Sequence, residues 1–311
     1  MLKTFILTAA VLCFYAQQPV DTTVSLSMIV TDKDNKRVNN IRNDQIRVFE
    51  DKVEQTILSI EADSRPVDYG IVIDASGSFR TRFVLALDAV TLIIKKKRPA
   101  DDVFIERFIS NDKIERYHDF TTDADALIKS LDSFKIEGGQ SAVIDALYTA
   151  VNYVAEHKSN EDRRKVVIII TDGEDRKSFY NQEALVKLLH ETGVQVFALG
   201  VVGELDNQGA FTRPGARQKA EKLLKAVTEE SGGRVLLLKD KDELIFSAAE
   251  IVLDLQAQFR IKYQSTRDPS TKGFRAVDVK FVPTGGEKLT LIVPKGYFIG
   301  PRPPKKQEKK P

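Results

Sequence analysis

The chain has 311 residues, 42% of them hydrophobic and 30% charged, which leaves room for one large domain or two smaller ones around a real core. Its 47 Lys and Arg nearly cancel its 45 Asp and Glu, so a net charge of +2 excludes a field strong enough to recruit nucleic acid. One cysteine, Cys13, excludes a disulfide framework.

In chain order, Met1-Leu2-Lys3 and the apolar stretch from Phe5 to Phe14 read as the charged and apolar regions of a signal peptide, too short to span a bilayer comfortably. Residues 1–16 are therefore expected to be removed on export, with cleavage after Ala16, giving a periplasmic or secreted protein. Cys13 leaves with that segment. Leu12 before it is not the small residue that lipidation prefers, so no stable membrane anchor is expected.

From Thr22 to Val30 apolar and hydroxyl residues alternate with the period of a strand that has one buried face. After the turn-forming Asp32 to Lys36, two short strands follow at Ile46 to Asp51 and Gln55 to Ile60. So small a β segment, residues 20–62, cannot bury enough surface alone. Its partner is sought at residues 256–300, where Phe259 to Tyr263 and Ala276 to Val282 alternate, and Leu289 to Val293 is apolar. The last two runs are expected to form a hairpin across Thr284-Gly285-Gly286. The flanks are expected to combine into one β-rich domain with the middle of the chain inserted; two separate small lobes are the alternative.

Between the flanks, residues 67–255, strand-like and helix-like runs alternate. Strands are expected at Tyr69 to Asp74, Val103 to Ile109, Val166 to Thr171, Gln195 to Val201 and Arg234 to Leu237, with Ile114 to Tyr117 as an extra edge strand. Helices are expected at Arg82 to Lys97, Asp125 to Leu131, Ala142 to Ala155, Gln182 to Glu191, Arg217 to Glu229 and Glu243 to Leu255. Lys95 to Arg98 before Pro99, Gly193, and Gly232-Gly233 mark helix ends. The fold class is therefore α/β, a doubly wound, mostly parallel, Rossmann-like sheet with a flanking β domain. The Pro- and Lys-rich residues 301–311 are expected to be disordered.

In such sheets ligands bind beyond the carboxyl ends of the strands, where strand order reverses. Three loops there carry oxygen groups. Asp74, Ser76 and Ser78 alternate after the first strand of this region; Gly138-Gly139-Gln140-Ser141 opens a helix; Thr171-Asp172-Gly173 follows the most apolar strand. Carboxylate and hydroxyl oxygens without sulfur or imidazole suit a hard divalent cation, Mg2+ or Mn2+, better than zinc or copper. Five protein oxygens, some acting through water, leave room for an outside carboxylate.

Other readings fit less well. Asp74 and the serines are also what a helix amino terminus selects, but Ser141 and Asp172 are then coincidences at two other strand ends. A Mg-dependent phosphatase with Asp74 as nucleophile needs a second Asp two residues on, where this chain has Ser76. No Gly-x-Ser-x-Gly elbow exists, and His118, His157 and His190 lie near charged element ends. The run Glu174-Asp175-Arg176-Lys177 and the loop from Gly203 to Gly215 are candidates to rim the site.

Asp74-Ala75-Ser76-Gly77-Ser78, Gly139-Gln140-Ser141-Ala142 with Asp145-Ala146 behind it, and Thr171-Asp172-Gly173 together resemble the von Willebrand factor type A domain and its metal-ion-dependent adhesion site, over Val67 to Leu255. The resemblance implies that Ser76, Ser78 and Ser141 contact the ion directly, and that Asp74 and Asp172 do so directly or through water. Ser141 stands where the family more often has Thr. It implies no enzyme but a protein-binding module whose ion coordinates an acidic residue of a partner protein; a structural or assembly factor with a vestigial site is the alternative. Val30-Thr31-Asp32, Val48-Phe49-Glu50-Asp51 with Gln55, and Lys295-Gly296-Tyr297 resemble bacterial exported proteins that carry this domain between β-rich ends.

Overall fold

The computed structural model describes residues 22–159, 161–206, 215–283, 285 and 288–300. The expected signal peptide, the basic tail and most of the Gly203 to Gly215 loop lie outside the described residues. Three strands come first: β1 (Thr23–Thr31), β2 (Ile46–Glu50) and β3 (Val53–Ala62). β2 and β3 form a tight hairpin in which Asp51 and Lys52 adopt φ of 47° and 72°. Two left-handed residues in a row give the turn whose twist matches that of its strands.

The middle of the chain runs β4 (Val67–Asp74), α1 (Phe83–Lys96), β5 (Asp102–Ser110), β6 (Lys113–Thr121), α2 (Ala124–Leu131), α3 (Val143–Glu156), β7 (Arg164–Thr171), α4 (Gln182–Thr192), β8 (Gln195–Val201), α5 (Ala216–Ser231), β9 (Val235–Leu238) and α6 (Leu244–Gln256). The strands form one sheet in the order β6-β5-β4-β7-β8-β9, parallel except for the edge strand β6. Every residue of β4 is buried, because its odd positions Ile71 and Ile73 enter the core beneath α1 and α6 while Val72 enters the one beneath α3, α4 and α5. A strand covered on both faces needs an unbroken apolar run, and that run stops at Asp74. From β4 the chain winds outward through β5 and β6, then crosses back to β7 on the other side of β4. Strand order thus reverses between β4 and β7, which opens a crevice at their carboxyl ends.

The chain closes with β10 (Phe259–Gln264), β11 (Gly273–Phe281), β12 (Thr290–Ile292) and β13 (Gly296–Ile299). These join β1 to β3 in a single seven-stranded sheet, β12-β1-β10-β3-β2-β11-β13, so the two flanks fold together rather than as separate lobes. The expected hairpin between the runs at 276–282 and 289–293 does not form. β12 pairs with β1 at one edge of the sheet, and β11 is instead flanked by β2 and by β13, which the sequence pattern does not predict. The reason lies at Gly296: a Cβ there would sit 2.4 Å from the Arg275 carbonyl oxygen, so only a glycine lets β13 close onto β11. Only Val293 to Lys295 separate β12 from β13, although these are the two outermost strands. Seven strands laid flat would span about 29 Å, while so short a link reaches about 14 Å, so the sheet must curl to bring its edges together.

Inside the curl, Glu50 is fully buried and accepts hydrogen bonds from Ser265 Oγ (2.8 Å), Tyr263 OH (2.9 Å), Tyr297 OH (2.9 Å) and Arg275 Nη1 (3.2 Å). A residue of the first segment is thereby tied to four of the last. On the outside, Arg37 bridges this sheet to α6 through Glu250 and Asp254, at 2.8 Å each.

Candidate metal centre

Asp74 ends β4 where the backbone leaves the sheet, and its side chain organises the turn that follows. Oδ1 accepts from the Ser76 backbone N–H (2.9 Å), while Oδ2 accepts from Thr171 Oγ1 (2.6 Å) and from Ser141 Oγ (3.5 Å). Ser76 Oγ lies 3.2 Å from Ser78 Oγ. Asp172 follows β7, its Oδ1 accepting from the Glu174 backbone N–H at 3.0 Å. The three loops marked in the sequence therefore meet in the crevice between β4 and β7, and hydrogen bonds link Asp74 to both other loops. Asp74, Ser76, Ser141 and Asp172 are buried; Ser78 is half-buried.

The second loop approaches closely at one glycine of its pair. A Cβ on Gly139 would lie 2.4 Å from Ile109 Cγ2, whereas Gly138 meets nothing within 4 Å. The Ser141 carbonyl accepts from the backbone N–H groups of Arg176 (2.8 Å) and Lys177 (3.2 Å), which locks this loop to the one after Asp172. Asp145, on the first turn of α3, reinforces that lock, since its carboxylate accepts from the Phe179 and Tyr180 N–H groups at 2.8 and 2.9 Å. Asp175 accepts from the Ile144 N–H (3.1 Å) and from Ser178 Oγ (2.5 Å). The charged run at 174–177 thus spends Asp175 and two backbone amides on holding the site together.

Two buried carboxylates in one crevice repel each other and are poorly solvated. Burial, and then the charge of Asp172, push Asp74 up to about 7; Asp172 is raised as well, chiefly by burial. Arg82 answers part of this charge, its Nη1 donating to Asp172 Oδ2 (3.4 Å) and to the Ser78 carbonyl (2.9 Å). The sequence reading places Arg82 as the first residue of a helix and misses this role; nothing local marks it. Thr171 stands in the third motif, yet only the fold turns its hydroxyl toward Asp74.

The donor set fits a hard cation. It offers two carboxylates and three hydroxyls at the mouth of a crevice, no sulfur and no imidazole, and more negative charge than Arg82 offsets. A separate group lies at the opposite end of the sheet, where Asp68, Asp102 and His157 bring one ligand atom each within 4.8 Å of the others. Six residue steps along β4 take Asp68 to Asp74, about 20 Å, so this group is no part of the crevice. Arg163 Nε already donates to Asp68 Oδ1 at 2.5 Å.

Residues 68–246 match the von Willebrand factor type A domain. Among solved structures, the chain is similar to a von Willebrand factor type A protein from Catenulispora acidiphila, with 13% identity, 91% of this chain and 74% of that one covered, and a TM-score of 0.51. It is similar to proximal thread matrix protein 1 from the mussel byssus, in a structure with a zinc-occupied MIDAS motif, with 19% identity over 68% of this chain and 50% of that chain and a TM-score of 0.50. A conserved hypothetical protein, BatB, from Bacteroides thetaiotaomicron aligns at 19% identity over 61% of this chain and 99% of its own, with a TM-score of 0.45. At these identities the likeness concerns the fold. No curated protein matches the chain significantly.

Proposed function

The chain belongs to the von Willebrand factor type A domain family, and from that premise we propose that it is an exported, metal-dependent protein-binding module. The observation that carries this reading is the meeting of Asp74, Ser76, Ser78, Ser141 and Asp172 in one crevice, with Asp74 bonded to both neighbouring loops. These five residues would hold the ion, and their hard oxygens favour Mg2+ or Mn2+. Once bound, the cation supplies the charge that both carboxylates lack and a coordination position for an outside carboxylate.

The protein's own residues do the positioning. Thr171 and the Ser76 amide fix both oxygens of Asp74, Glu174 N–H and Arg82 fix Asp172, and Asp145 clamps the loop beside Ser141. Binding, not catalysis, suits this set, because the general acid expected two residues after a nucleophilic Asp is replaced by Ser76, which is buried. The partner is a protein presenting Glu or Asp. Residues 67–255 would be the binding domain, and residues 20–62 with 256–300 the β domain that supports it. The amino-terminal sequence supports export to the periplasm or medium, and no helix among the described residues is long and apolar enough to cross a membrane.

One observation favours a second reading, a structural or assembly factor whose metal site is vestigial: Arg82 already pairs with Asp172. Pull-down from the exported fraction separates the two. Capture that needs Mg2+ or Mn2+, and is lost both with chelator and in Asp74→Ala, supports the adhesion reading; capture indifferent to both overturns it.

A further inference from the structure

Residues 132–142 join α2 to α3 without helix or strand, yet they carry Ser141 into the crevice. Such a backbone has no ladder to hold it, so its place depends on what its individual groups meet. On the downstream side the Arg176 and Lys177 amides hold the Ser141 carbonyl, and Gly138, Gly139 and Gln140 just before it are exposed. On the upstream side the contacts gather at the end of β5.

Arg107 is at their centre. It lies on β5, only 3% exposed; its Nη1 donates to the Lys135 carbonyl at 2.6 Å, while Nη2 donates to Glu137 Oε1 at 3.1 Å and to Glu115 on β6. The guanidinium lies 5.0 Å from the centre of the Tyr117 ring, and that ring packs against Phe134 of the same loop with centres 3.9 Å apart. The Glu137 amide donates to the Ala75 carbonyl (3.3 Å), and the Ala75 amide to the Phe108 carbonyl (2.9 Å). One buried guanidinium thus grips both backbone and side chain of the second loop a few residues before Ser141, where that loop also meets the first loop beside Ser76. Only a planar fork with several donors reaches both groups at once.

We propose that Arg107 is a positioning residue for the metal site, holding the second loop so that Ser141 Oγ meets the cation beside Asp74. The inference rests on the reading of the crevice as a metal centre. Arg107 acts through Lys135 and Glu137 rather than on the ion. Without its grip, the exposed stretch from Gly138 to Gln140 gives the loop room to leave the crevice. The loss falls on cation affinity more than on the fold, because the side chains of Glu115 and Glu137 are 47% and 41% exposed and return to water when the guanidinium is gone.

The test is calorimetric titration of the chain with Mn2+, at a temperature where circular dichroism shows every variant folded. Wild type should bind, and Arg107→Met should bind about tenfold or more weakly, as is usual when a group that orients a metal ligand is removed. Arg65→Met, which breaks the ion pair with Asp63 (2.7 Å) at the opposite end of the sheet, should lose stability and keep wild-type affinity. Glu137→Ala, made at a half-buried side chain, should also bind more weakly and decides the matter if Arg107→Met does not fold. Wild-type affinity in Arg107→Met, or in Glu137→Ala where that variant decides, overturns the positioning role and leaves the metal reading standing. An equal loss in Arg65→Met overturns it too, since stability alone then accounts for the effect. No Mn2+ binding by wild type overturns the metal reading itself, and this role with it.

Discussion

Arg82 and Asp172 form an ion pair inside the crevice, Nη1 to Oδ2 at 3.4 Å, with both side chains fully buried. A cation built into the protein thus stands beside one of the residues proposed to hold a metal. The pair and an ion draw on the same carboxylate, so their relation can be measured.

Arg82→Met is expected to destabilise the metal-free protein by about 3–5 kcal/mol, because Asp172 is left as an unpaired buried charge. Saturating Mg2+ should recover much of that loss. Urea unfolding with and without the metal checks both halves, and an equal loss in both conditions would show that Arg82 and the cation do not share Asp172.

Metal binding itself should raise the melting temperature. Binding to the folded state alone stabilises by about 2.7 kcal/mol at a hundredfold excess over the dissociation constant. Titration with Mg2+ and Mn2+ should show this in wild type, with the gain lost in Asp74→Ala and reduced in Ser141→Ala.

Glu106 makes the protein less stable as pH rises. It is buried on β5 with Arg116 3.8 Å away, and burial pushes its carboxyl up to about 8. Between its ordinary value of 4.5 and about 8 the folded state binds the proton that the unfolded state has released. The contribution is therefore fully present below about 4.5 and lost as pH rises through 8. Glu106→Gln should flatten this part of the pH profile and raise the melting temperature at pH 8.

The Glu50 network predicts an asymmetry. Arg275→Met leaves Glu50 with its three hydroxyl donors, from Tyr263, Ser265 and Tyr297, whereas Glu50→Ala removes the acceptor shared by all three and the only carboxylate paired with Arg275 among the described residues, which keeps the Asp268 carbonyl and Ser265 Oγ. Glu50→Ala is expected to cost about 3–5 kcal/mol and Arg275→Met distinctly less. Denaturant unfolding of the two variants measures the difference.

Much of this was legible in the residues themselves. Helix and strand periods, the glycines ending α4 and α5 at positive φ, and the apolar run that stops at Asp74 are local signals, so the α/β sheet and its order of elements follow from short stretches read singly. Asp74, Ser76, Ser78, Ser141 and Asp172 were also identifiable in advance, because strand ends in such a sheet converge and oxygen-bearing residues stand at three of them. Sequence by itself thus determined the architecture and the candidate donor set. Tertiary structure decided everything that depends on residues far apart in the chain. It placed β12 beside β1 and β13 beside β11, where alternation alone predicted a hairpin, since many partners satisfy the same period. Likewise it buried Arg82 against Asp172, ninety residues away, and left Arg164 beside an Asp63 already taken by Arg65. A side chain's charge is written in the sequence; which opposite charge it meets, and whether water reaches it, is fixed only when the strands have paired.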